Sequence, residues 1–374
     1  MKMINQQNLF TLIICTFNRS EWLVPTLKTL TSFKFKIIVM DGSSDSLHLE
    51  KNQIAINKLN ENHCNLIRYY IDKGSYLARL KTASLLVDTA YCRISADDDL
   101  FSAEYVNDAI AKLQLNPDIA AVEGAIDSYD INRRQFMGFT DQYYHSDLAS
   151  TQILTRGMAS SYRPGTFGVM PINVLKLCSN LSLEAEEFIV DDFTNGNLLW
   201  AAGRFTDLIF RNVTLFSGII VKSEHLMLFR FYHGENLGSK LARNNKQSTF
   251  FLDKRIQSYM EILCDRMASE LKLPINDIRS IIFYDHFSDI ARRLQTIKDE
   301  MKSSAGSDLQ NFQSRGLEPV YKNFTKKILI APVALIRWLL AAVRGGMKGK
   351  HPAKKESLIL IKTFLINFDN KLSG

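Results

Sequence analysis

The chain has little cysteine: five residues in 374, scattered at Cys15, Cys64, Cys92, Cys178 and Cys264 with no CxxC pair. An odd, dispersed set argues against a disulfide framework and predicts buried, reduced thiols of a cytoplasmic protein. Met1 to Gln7 is polar and runs into a strand, so no secretory signal peptide is expected. There is no internal repeat and no low-complexity tract. The most apolar stretch, Ile328 to Val343, is interrupted by Pro332 and Arg337 and is shorter than the roughly 20 residues a spanning helix needs. Acidic residues are missing from Lys322 to Lys355, which holds seven Lys and two Arg. That stretch carries +9 of a chain whose net charge is +7, leaving −2 for the rest. Basic charge confined to one segment argues against a nucleic-acid groove spread over the fold.

What is present is apolar residue enough, 46%, for a sizeable core, in a length that suits two domains or one large α/β domain with an appendage. Leu9–Thr16, Lys36–Met40, Leu66–Ile71, Tyr91–Ser95 and Ile119–Glu123 read as short buried strands. Between them, Glu21–Ser32, Tyr76–Val87 and Tyr105–Leu115 show helical spacing. Strand and helix alternate, which predicts a mainly parallel sheet with helices on its faces. Ligands of such sheets bind at the carboxyl ends of the strands. Polar clusters fall at those ends: Asn18-Arg19, Asp41-Gly42 and Asp97-Asp98-Asp99. Farther on, 139–171 reads as polar and aromatic loops, Glu184–Ala202 as helical in its second part, and Phe210–Ser223 as strand. Phe250–Ser303 reads as two helices broken at Leu273-Pro274, followed by a polar linker over 303–316.

Three adjacent carboxylates repel one another by roughly 1 kcal/mol or more per close pair even at a surface. A cation holds them together; oxygen ligands of this kind suit Mg²⁺ or Mn²⁺ shared with substrate phosphates. A solvated acidic turn is the competing reading.

Five pieces in order, TLIICTFNR, IIVMDGSSD, DKGSYLARLKTA, the Asp triplet and a late DD…AAG stretch, resemble the family 2 nucleotide-sugar glycosyltransferases of GT-A fold over roughly residues 9–240. The resemblance implies an α/β, Rossmann-like, mainly parallel sheet flanked by helices, with a helical C-terminal region. It implies that Thr16, Phe17, Asn18 and Arg19 line the base and ribose of a nucleotide-diphosphate sugar. Asp41 would accept a hydrogen bond from the base, and Lys73, Gly74 and Arg79 would approach the donor. The triplet matches the family's DXD metal site in one of two registers, Asp97 with Asp99 or Asp98 with Asp99. Asp99 is expected on the metal, Mn²⁺ or Mg²⁺, with Asp97 on ribose or a metal-bound water. Asp192, with Asp191 in reserve, matches the general base of inverting members; an Asp pair capping a helix N-terminus would look the same. His233 would complete the metal shell, Arg230 would bind phosphate, and Tyr162 to Thr166 falls where acceptors bind.

The implied activity is a metal-dependent, inverting sugar transfer to a glycan or lipid-linked acceptor in polysaccharide, lipopolysaccharide or capsule synthesis. The alternatives are a non-catalytic sugar-binding or scaffolding subunit on the same fold, and a nucleotidyltransferase. The expected domains are 1–245 for catalysis, 246–316 as a helical extension and 317–374 as a basic amphipathic segment. That last segment reads either as peripheral attachment to an anionic membrane, at the cytoplasmic face of the inner membrane, or as a core helix with a solvated tail.

Overall fold

The computed structural model describes residues 9–62, 66–133, 135–140, 146–158, 167–192, 198–233 and 254–283, together with 356–357, 359–361 and 363–364. The chain divides into two compact units, one of Met1–Tyr144, Pro164–Asn236 and Lys348–Gly374, the other of His145–Arg163 and Leu237–Met347.

The first unit is α/β. Strands β1 (Phe10–Thr16), β2 (Lys36–Asp41), β3 (Ile67–Ile71) and β4 (Tyr91–Ser95) are parallel, and β8 (Met170–Pro171) closes the order β3-β2-β1-β4-β8 antiparallel to β4. Nearly every residue of β1 and β2 is buried, which is why both read as unbroken apolar runs. Helices α1 (Ser20–Leu30), α2 (Ser46–Asn62), α3 (Tyr76–Leu86) and α4 (Ala103–Leu115) follow β1, β2, β3 and the short β5 (Asp99–Leu100). Ser75 and Ser102 start α3 and α4 as side-chain N-caps, accepting from Ala78 N and Tyr105 N at 3.1 Å each. Asn116-Pro117 ends α4, as the sequence predicts.

A second sheet, β5-β9-β6-β7, uses β6 (Ile119–Asp130), β7 (Gln135–Thr140) and β9 (Ile219–Tyr232). In it Asp99 pairs with Arg230. The core lies between this sheet, the first sheet and α1 and α4, with Leu360, Ile361 and Phe364 from far along the chain packed into it.

Some expectations are corrected. Residues 46–62 form a helix, α2, where the sequence showed none; it buries only Asn52, Ile56 and Leu59, too sparse a stripe to register. Helix α6 (Ile172–Asp192) starts well before Glu184, and α7 (Leu198–Ser217) runs through Ala202 and Gly203. Residues 210–217 are therefore helical, and the strand begins at Ile219. Gly218 makes the switch: a Cβ there would lie 2.2 Å from the carbonyl oxygen of Asp118.

In the second unit, a 3₁₀ turn (Ser146–Ala149), α5 (Ile153–Met158) and α8 (Lys254–Leu271) are described. After α8, Lys272 takes a left-handed φ of 54° and a further helical stretch covers 275–283, so the chain breaks where Leu273-Pro274 predicts. The linker 303–316, the apolar run 328–343 and Tyr162–Thr166 lie outside the described residues.

Candidate active site

The carboxyl ends of β1, β2 and β4 carry the three polar clusters that the sequence singles out, and side chains tie them together. At the end of β1, Thr16 Oγ1 donates to Asp97 Oδ2 at 2.7 Å. Arg19, just before α1, donates through Nη1 to Asp97 Oδ1 at 2.7 Å and through Nη2 to Asp98 Oδ2 at 2.6 Å. His233, immediately after β9, places Nε2 2.8 Å from the same Asp98 oxygen. The Trp22 indole stacks on that imidazole at 4.0 Å and 18°. On the β5–β9 pair, Arg230 Nε comes within 3.9 Å of Asp99 Oδ1, an ion-pair distance too long for a hydrogen bond.

All three aspartates are buried, at 3–4% exposure, which rules out a solvated acidic turn. Burial, opposed by Arg19 and reinforced by Asp98, pushes Asp97 up to about 7. Burial, opposed by Arg230 and again reinforced by Asp98, pushes Asp99 up to about 6. Asp98 goes the other way: burial would raise it, but the His233 hydrogen bond and Arg19 hold it below the ordinary carboxylate value. Arg19 is raised in turn; burial acts against its charge, and Asp97 and Asp98 outweigh that cost.

The donor set of carboxylate oxygens and one imidazole is of the kind that suits Mn²⁺ or Mg²⁺. The three carboxylates stand among the guanidiniums of Arg19, Arg93 and Arg230, and a divalent cation would have to fit beside those charges. Asp99, Asp97 and His233 are the side chains that would hold it. Among the described residues, no group of three or more His, Cys, Asp and Glu side chains is disposed as a metal cage. Arg19 and His233 instead take the Asp97 and Asp98 oxygens.

The turn after β2 forms a second, linked group. Asp41 is fully buried and accepts from Ser43 N at 2.8 Å, Asn52 Nδ2 at 2.7 Å and Tyr69 OH at 2.7 Å. Its carboxylate is committed within the protein and fixes the turn. Asn18, at a left-handed φ of 52°, ties the β1 loop to that turn: its N donates to Ser43 Oγ at 2.8 Å and its Nδ2 to Ser44 Oγ at 3.0 Å. Phe17 between them is 52% exposed. Arg79, buried in α3, lies over Gly42; a Cβ there would sit 1.9 Å from Arg79 Nη1, which donates to Thr16 O at 2.6 Å. Lys73 Nζ donates to Ser43 O, and Gly74 N donates to Asp72 Oδ1 at 2.8 Å.

Thr16, Arg19, Asp97, Asp98, Asp99, Arg230 and His233 are thus brought together. Asp41, Lys73 and Arg79 are brought to the adjoining turn. Asp191 and Asp192 are the last described residues of α6; their side chains lie outside the described residues, as does 193–197. In the sequence Trp22 reads only as an apolar position of the helix over Glu21–Ser32. Its position three residues after Arg19, one turn of helix, was the available signal. The sequence also does not single out Asn52 and Tyr69, whose partner lies 11 and 28 positions away.

No family model and no curated protein sequence matches the chain. Among solved structures it is similar to S. aureus TarS 1–349, at 12% identity, with 75% of this chain and 72% of that one covered and a TM-score of 0.44. It is similar to the mannosyltransferase PcManGT from Pyrobaculum calidifontis in complex with GDP-Man and Mn²⁺, at 13% identity, 90% and 86% coverage and a TM-score of 0.41. S. aureus TarS 1–349 in complex with UDP-GlcNAc matches at 12% identity, 76% and 88% coverage and a TM-score of 0.40.

Proposed function

We propose that the chain is a glycosyltransferase of GT-A type: metal-dependent, inverting, and transferring a sugar from a nucleotide-diphosphate donor to a glycan or lipid-linked acceptor. The observation that carries the reading is the buried Asp97-Asp98-Asp99 triplet beyond β4, bound to Arg19 from the β1 end and facing Arg230 and His233 from β9. Carboxylates buried at that position, with cations around them, suit a diphosphate and its counter-ion better than a structural turn.

On this reading Asp41 acts through the turn it holds, and the exposed Phe17 ring with the Asn18 backbone borders the nucleotide. Asp192 takes the proton of the acceptor hydroxyl as its oxygen bonds to the anomeric carbon; the bond from that carbon to the diphosphate oxygen breaks, and the nucleoside diphosphate leaves. Arg19 and Arg230 offset the charge that the departing diphosphate gains. A bound Mn²⁺ or Mg²⁺ would supply further positive charge to that leaving group.

A screen of nucleotide sugars for donor hydrolysis, with Mn²⁺ and after EDTA, tests the activity. Turnover should stop with EDTA and return with either ion; hydrolysis indifferent to EDTA overturns the metal. Asp192→Asn should retain donor binding and lose about 10²–10⁴-fold in turnover; full activity removes it as the base.

The Arg19 bridge across Asp97 and Asp98 favours one other reading, a binding subunit that needs no metal. Calorimetry with UDP separates the two, since only the enzyme reading requires Mn²⁺-dependent binding. Among the described residues no helix is long and apolar enough to cross a membrane. Peripheral attachment through the basic stretch at the cytoplasmic face of the membrane, where lipid-linked acceptors would be met, is part of the proposal. Its test is Lys→Gln replacement within 322–355 and binding to anionic vesicles, because truncation would also remove Phe364 from the core.

A further inference from the structure

Four aromatic rings connect the far end of the chain to the candidate site. The described residues within 356–364 pack beside β9. Glu356 takes His225 Nδ1 at 2.6 Å and accepts from Leu226 N at 2.7 Å. Ser357, Leu360, Ile361 and Phe364, spaced as one helical face, are all buried. At the other end of this contact Phe364 stacks on Phe231 at 4.3 Å and 28°, two residues before His233. Phe364 also lies 6.5 Å from the Trp22 indole and within 12° of parallel to it, and that indole stacks on His233.

An imidazole presents Nε2 to Asp98 only while its ring plane is held, and the ring otherwise turns about its outer torsion. The face of Trp22 holds that plane, and Phe364 fills the space beside Trp22. We infer that Trp22 and Phe364 are positioning residues for His233, so that residues 356–364 form a structural part of the site. The inference rests on the proposed function for what His233 contacts, but not for how it is held. Ordinary core packing would make Phe364 matter for stability alone. The positioning role makes it matter for His233 in a protein that is still folded.

The test has two arms on the full chain. Carbethoxylation by diethyl pyrocarbonate, mapped by peptide mass, reads the protection of His233, which is 8% exposed. Electron paramagnetic resonance reads Mn²⁺ affinity. Phe364→Ala should lose the protection of His233 and bind Mn²⁺ about 10-fold more weakly, the usual size of an outer-shell effect. Phe364→Tyr should restore both. Leu113→Ala, in the same core but on α4, should leave His233 protected. The inference falls if His233 stays protected in Phe364→Ala, or if Leu113→Ala exposes it equally. Should Phe364→Ala not fold, Trp22→Leu replaces it with the same expected loss of protection, and retained protection there overturns the idea. A wild-type chain that takes up no Mn²⁺ would overturn the proposed function, while the protection arm still decides this inference.

Discussion

Arg19 holds Asp98 through Nη2 at 2.6 Å while its Nη1 holds Asp97 at 2.7 Å, so one guanidinium bridges two neighbouring carboxylates. Removing it leaves both buried without their main counter-charge. Arg19→Ala should lower stability by about 2–3 kcal/mol, less than a fully buried pair because a quarter of the Arg19 side chain remains in water. One oxygen it vacates, Asp97 Oδ1, is among those a divalent ion would use. Mn²⁺ should therefore raise the melting temperature of Arg19→Ala more than that of the wild type. Equal shifts in thermal denaturation would show that arginine and metal do not compete.

Gly42 and Arg79 occupy the same space from two elements. A methyl group at 42 must displace the guanidinium and, with it, the bond to Thr16 O. Gly42→Ala should cost about 1–2 kcal/mol by chemical denaturation. In an Arg79→Ala background the same substitution should cost less, by a coupling of about 1 kcal/mol. An additive pair would refute the contact.

Asp41 gives a pH dependence with a definite sign. Burial alone would raise it, but bonds from Ser43, Tyr69 and Asn52 outweigh burial and hold it below its ordinary value. A depressed folded value means that its contribution to stability is complete above the unfolded value of about 3.9 and is lost as pH falls through the folded value below that. The stability gap between wild type and Asp41→Asn should be constant from pH 6 to about pH 4 and narrow on further acidification. Denaturant titrations of both proteins check this, and a gap that widens in acid contradicts it.

Asp97 and Asp98 separate the two registers of the triplet, since Asp99 belongs to both. Asp97 accepts from Thr16 and Arg19 and Asp98 from Arg19, whereas Asp99 is approached by Arg230 at ion-pair distance, with Arg93 acting on it from farther off. Asp97→Asn and Asp99→Asn should each weaken Mn²⁺ binding at least about 10-fold, more than Asp98→Asn does. Calorimetry ranks the variants, and the reverse order would move the metal to Asp98.

The parallel sheet was legible because its strands are buried on both faces, so β1, β2 and β4 stand out as apolar runs whatever their neighbours. Helix α2 was not, because its outer face is polar and its burial rests on three residues. The run from Phe210 to Ser223 misled because its apolar content serves α7 up to Ser217 and β9 from Ile219, and hydropathy does not show the change of period. Within the site, the carboxylates and their cations were readable as residue types at strand ends. Their pairing was not: that Asp41 turns inward and Arg19 bridges depends on side-chain direction. The bond from Glu356 to His225 spans 131 positions, beyond any local pattern.

The unit that holds the candidate site is assembled from three separated stretches of chain, and the third supplies Phe364. On the ribosome, β1 to β9 emerge first with the space beside Trp22 and Phe231 unfilled. Closing it requires a loop of more than a hundred residues, an entropic cost that grows only slowly with length but is met late. If Phe364 holds His233 through Trp22, the arrangement is completed only after translation has passed residue 364.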